Sequence, residues 1–232
     1  MTLSQFFLII LSFIFFTIIG TQSHELGHVL VAKILGCETR LSYGSMTYSN
    51  DKIEKEYFKF YELYGNEIRE ECEFPGQSRF YELSKEWANI RFWIIIGGPL
   101  QTMLTGIVGF YLLIKFRKNR HNLDFNFKEW VVTFLALFWL REPFNMLGAT
   151  VGWMLNGETV FVGDEFQIAN YLGFHPWSVS IILGLIGLSI AFFIIFKIMP
   201  KRYWIGFNLA GIMGGLLGFY LWFDILGPFL FQ

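Results

Sequence analysis

The residues best equipped for chemistry are His24-Glu25-Leu26-Gly27-His28. Positions i and i+4 of a helix share one face, so His24 and His28 offer two imidazole nitrogens to one metal ion. Glu25 follows the first histidine and can reach a metal-bound water without being a ligand. Zinc lowers the pKa of such a water to about 7, and a nearby carboxylate can take its proton. These are the parts of metal-assisted peptide hydrolysis. A lone histidine on an apolar face is ordinarily a packing residue. Here two of the chain's 4 histidines flank a glutamate inside an apolar run, Leu3 to Leu35. Ionisable groups are expensive in such a run, which argues for a role.

The composition says what kind of scaffold must hold them. Of 232 residues, 54% are hydrophobic, 20% aromatic and only 16% charged, against about 25% charged in an ordinary soluble domain. Mean hydropathy is +0.45. A net charge of -1 gives no electrostatic footprint for a nucleic-acid partner. The pattern predicts an all-α multi-pass membrane protein. Its bundle has about five transmembrane helices, at 3–35, 91–116, 130–155, 178–199 and 204–223. Residues 37–89 form a small polar, partly β extramembrane segment, and 1–232 form one membrane-embedded domain. The first run has no Lys or Arg before it and is too long for a signal peptide, so it reads as a retained span. Gly36 supplies its stop, and the metal pair falls about two-thirds of the way along, nearer one membrane face.

Within the polar segment, Thr39 to Tyr48 contains β-formers in partial alternation and suggests a strand or hairpin. Glu54 to Glu73 reads as a charged helix with a solvated face, and Pro75-Gly76 as a turn. Cys37 and Cys72 allow either one disulfide or two free thiols. In the third span, Arg141-Glu142-Pro143 stands at mid-depth with Asn145 after it. Such a pair either meets another span or serves the metal site. Asp164 is placed to cap a short amphipathic helix that starts at Phe166. Basic residues after the second and fourth spans place those loops, and the amino terminus, on the cytoplasmic side.

Taken together, these residues resemble the site-2-protease-like intramembrane zinc metalloproteases. His24-Glu25-Leu26-Gly27-His28, Ala32 and Gly36 are similar to the family's H-E-x-G-H-x-x-x-A-x-x-x-G pattern. Gly97-Gly98-Pro99-Leu100 is similar to its small-Gly-Pro-Leu motif, and Phe144-Asn145-Met146-Leu147 to its Phe-Asn-Leu-Leu stretch. The resemblance runs from residue 21 to about 175. It implies a zinc metalloendopeptidase with His24 and His28 as metal ligands and Glu25 as general base. The implied partners are the lipid bilayer and a membrane-protein or peptide substrate. The chain departs from the family in three ways. No Leu-Asp-Gly, the motif of the third ligand, follows Asn145. Gln101-Thr102 stands where the family has Asn. The family's zinc site lies nearer the cytosol, whereas the charge count puts the end of the first helix outside. With the resemblance, Asp164 is the first choice for the third ligand, then Glu142 and Glu165, with His175 and His121 behind them.

Three function classes follow. One is an intramembrane protease whose substrate is unwound before cleavage and held by edge addition to the strand-forming stretch. Another is a non-proteolytic membrane metal-binding protein or degenerate relative. The last is a helical scaffold that uses its Glu- and Tyr-rich segment as a contact surface.

Overall fold

Helix α1 (Leu3–Ile34) begins at a capping box: the Thr2 side chain accepts from Gln5 N–H, and the Gln5 side chain accepts from Thr2 N–H. It ends where Gly36 adopts φ 76°, a left-handed conformation that glycine enters without a Cβ penalty. Gly36 and Cys37 then return their N–H groups to Lys33 and Ala32. The computed structural model describes residues 1–118, 124–156 and 163–231.

Strands β1 (Glu38–Leu41) and β2 (Met46–Ser49) pair antiparallel, with Glu38 opposite Ser49 and Leu41 opposite Met46. They form a sheet of two strands, as the β-formers there predict. Helix α2 (Asp51–Arg69) starts at Asn50, whose side chain accepts from Ile53 N–H. Gly76, at φ 80°, turns the chain into helix α3 (Gln77–Arg117). The rings of Tyr57, Phe60 and Phe74 close on Phe80, joining α2 to the start of α3. Cys37 is buried and Cys72 exposed, and both are free thiols.

Helix α3 differs from the expected span at 91–116 by beginning 14 residues earlier. Hydropathy reports the surroundings of a segment, whereas the backbone ladder continues across the change from polar to apolar sequence. At 41 residues the helix is about 60 Å long, roughly twice the hydrocarbon thickness of a bilayer.

The expected span at 130–155 is divided. Helix α4 (Phe127–Ala136) passes through a 3-10 turn (Leu137–Leu140) into helix α5 (Arg141–Asn156). Pro143 explains the restart: it has no N–H for the carbonyl of Trp139, and proline is tolerated in the first turn of a helix. The start of α4 is fastened to the end of α3 by the buried pair Glu129–Arg117, 3.6 Å apart.

Helix α6 (Asp164–Tyr171) bridges α3 and α7. Helix α7 (Trp177–Phe193) continues into a π turn (Ile194–Ile198). Helix α8 (Trp204–Tyr220) does the same (Leu221–Leu226) before the short α9 (Gly227–Leu230). Helix α1 packs against α3 and α8, and α5 against α7. Phe13, Phe134, Phe207 and Trp130 interlock at the centre of this bundle.

Among the described residues, four helical stretches are long and apolar enough to cross a membrane: Leu3–Ile34, Gln77–Arg117, Trp177–Ile198 and Lys201–Leu230. Their outward faces carry Leu11, Ile107, Ile182 and Ile212, each at least half exposed. A large apolar side chain left in water forgoes about 1.5–3 kcal/mol of burial, so this surface suits a lipid surround.

Candidate metal centre

Two glycines allow the centre to form. Gly27 of α1 and Gly97 of α3 meet at a crossing so close that a Cβ at Gly27 would lie 2.4 Å from the Gly97 carbonyl oxygen. A Cβ at Gly97 would lie 2.6 Å from the carbonyl oxygen of Gly27. Backbone contact of this kind is open only to residues without a side chain. It brings the next residue, Gly98, under the imidazoles. A Cβ there would sit 2.3 Å from His28 Nε2 and 2.5 Å from His24 Nε2. Gly98 therefore keeps clear the space into which both nitrogens point.

Ile94, Gly98 and Thr102 recur every four residues and form one stripe of α3 facing the histidines. His28 Nδ1 lies 2.7 Å from the Ile94 carbonyl oxygen, which can only accept, and 3.2 Å from the Gly98 N–H, which can only donate; the shorter contact, to the carbonyl, places the proton on Nδ1. His24 Nδ1 lies 2.9 Å from Thr102 Oγ1, and that hydroxyl donates to the Gly98 carbonyl. The hydroxyl's own hydrogen is thus committed, and it accepts from His24. This network assigns both rings the tautomer with a bare lone pair on Nε2.

The two lone pairs converge. The Nε2 atoms are 3.2 Å apart, with the rings at 81° to one another. Asp164 completes the group: its Oδ2 lies 2.9 Å from His24 Nε2 and 3.3 Å from His28 Nε2. Three electron-pair donors face a common point with no hydrogen of their own between them. Such an arrangement is repulsive unless a cation occupies the point. Two imidazoles and a carboxylate are donors that can hold a divalent metal ion. The donor chemistry fits a metal ion, and the His24, Glu25 and His28 side chains are within reach of one.

Asp164 is not the helix cap that its position suggested. Gly163 occupies the cap position without a side-chain hydrogen bond, and Asp164 is the first residue of α6. Its side chain turns to the histidines instead.

The other candidates sort as follows among the described residues. Glu25 is 7% exposed and lines, with His28 and Asp164, a cavity of about 560 Å³. Arg141 and Asn145 line the same cavity from α5. Glu142 and Glu165 are each 1% exposed, and neither contacts the imidazoles. Asn145 Nδ2 donates to Glu165 Oε1 at 3.1 Å, tying α5 to the helix that carries Asp164. His175 accepts from the Trp177 N–H outside the centre. His121 lies outside the described residues.

No family model, curated protein or solved structure matches this chain. The centre is therefore read from its own residues. Sequence reasoning met Gly97 and Gly98 as part of a family-like motif and gave no role to Ile94. The four-residue spacing of Ile94, Gly98 and Thr102 was the available signal.

Proposed function

We propose that the chain is a multi-pass membrane zinc metalloprotease that hydrolyses peptide bonds of membrane-embedded or membrane-proximal substrates. The observation that supports it most is the convergence of His24 Nε2, His28 Nε2 and Asp164 Oδ2 beside Glu25 at the floor of a cavity. Zinc, when bound by these three residues, would polarise the scissile carbonyl and acidify a water molecule. Glu25 takes the proton of the attacking water as general base and returns it to the departing amine nitrogen. Thr102 and the Ile94 carbonyl hold the two rings in the metal-binding tautomer. Arg141, whose Nε has no hydrogen-bond partner among the described residues, brings a positive charge to the cavity where carbonyl charge develops.

The substrate must present an extended segment, because a helical carbonyl is hydrogen-bonded and shielded. Gly44, Ser45, Met46 and Tyr48 line the cavity. Among the described residues the sheet has two strands, and a substrate strand would add along the free side of β2.

The test compares the purified chain with Glu25→Gln on a candidate membrane substrate. Cleavage falls by at least about a thousandfold in the variant, while zinc stays stoichiometric. Equal cleavage by the two proteins would refute the assigned chemistry. Stoichiometric zinc with no turnover in the parent would favour a non-proteolytic metal-binding protein.

A further inference from the structure

We propose that the carboxy-terminal helix latches the β-hairpin against the cavity, with Trp222 and Gln22 as positioning residues for the substrate strand. The inference rests on the hydrolase reading for the identity of that strand, but the latch itself stands on contacts alone.

A hairpin of two four-residue strands is marginal by itself, so its outer edge needs an external fastening to hold one register. The turn between the strands provides the hold. Within it, Ser42 N–H donates to the Ser45 carbonyl at 2.8 Å. The Tyr43 carbonyl points outward and accepts twice, from Trp222 Nε1 at 2.6 Å and from Gln22 Nε2. Both lone pairs of one carbonyl are thereby filled, one from α1 and one from a residue 179 positions away.

The fit around this carbonyl is close. A Cβ on Gly227 would lie 2.7 Å from Tyr43 Cβ, and a Cβ on Gly44 would lie 2.3 Å from the Phe223 ring. Trp222 and Phe223 belong to the π turn of Leu221–Leu226, a local widening often met at functional positions. A run of stacked rings continues from Phe223 to Phe219 and on to Phe144 of α5. Phe144 and Gly44 both line the cavity. The same helix end thus grips both walls between which the substrate strand would lie.

The test uses the full chain, loaded with zinc in lipid nanodiscs, as parent, Trp222→Phe, Gln22→Leu and the double variant. Each substitution removes the donor and keeps most of the volume. Amide hydrogen exchange over 38–49 should rise about fivefold in each single variant and more than about tenfold in the double, with 24–31 unchanged. Zinc content should not move. On a cleavable peptide, KM should rise about tenfold in the double variant with kcat within about twofold of the parent. Unchanged exchange over 38–49 in the double variant would overturn the latch. So would zinc loss in both single variants, since the effect would then lie at the metal centre. A parent that cleaves nothing sinks the hydrolase reading alone, because the exchange measurement still decides the latch. If Trp222→Phe does not fold, Gln22→Leu carries the decision.

Discussion

Helix α3 makes two contacts of opposite kinds along its length. Near its start it meets α2 through long side chains: Tyr57, Phe60 and Phe74 around Phe80, with a two-pronged ion pair from Arg79 to Glu56. About twenty residues later it meets α1 where the nearest approach is backbone to backbone, Gly27 against Gly97. The aromatic contact is adjustable, because rings and surface charges can shift. The glycine contact has no slack, since the nearest atoms are backbone. Chemistry that needs nitrogen atoms held to tenths of an ångström belongs at the second contact, and that is where the histidines lie.

This contrast predicts a steep difference in tolerance. The largest effect is expected for Gly98→Ala, which places a carbon inside the cleared space. Zinc affinity should fall by more than about a thousandfold in competition with a chelating dye, and retained affinity would show that the space is not the metal's. Thr102→Val keeps the volume but removes the acceptor for His24 Nδ1. Loss of an outer partner of this kind costs about 10–100-fold in metal affinity, and the same titration reads it. Phe80→Ala should destabilise the α2–α3 hairpin by about 3 kcal/mol, measured by exchange over 51–69, and leave zinc binding unchanged. If it lowered zinc affinity as well, the two contacts would not be independent.

The smallest effect concerns pH. Arg79, donating two hydrogen bonds to Glu56, holds that carboxyl below the ordinary glutamate range. A carboxyl lowered in the folded state contributes stability that is present above its unfolded pKa of about 4.3 and lost as pH falls through the lowered value. Opening over 51–69, read as exchange corrected for its intrinsic pH dependence, should thus be level from neutral pH down to about 5 and then rise. Glu56→Gln should remove part of that rise. Both groups are solvent-exposed, so the step is small, and identical profiles for the two proteins would remove the ion pair from the account.

Much of this was legible in the sequence because the signals are local. His24 and His28 share a face by spacing alone, the β-formers after Gly36 do form a hairpin, and a short helix does follow Gly163. The misreadings arose where distant contacts decide. Asp164 has the composition of a cap, and only the family resemblance pointed to it as a ligand; its side chain lies against two imidazoles 140 and 136 positions earlier. The stretch at 130–155 is apolar apart from Arg141, Glu142 and Asn145, but Pro143 interrupts its ladder, which hydropathy does not register. Trp222 gave no signal at all, since its indole N–H finds its acceptor in a turn near the other end of the chain.

Gly27 and Gly97 have one more consequence. Where two backbones touch, neither helix can give way, and the imidazole nitrogens rest on a fixed anvil. Any accommodation of a bulky chain must come from the opposite side, from the hairpin or from the eight-residue helix that begins with Asp164. The two imidazoles therefore keep their spacing whatever enters the cavity on the other side.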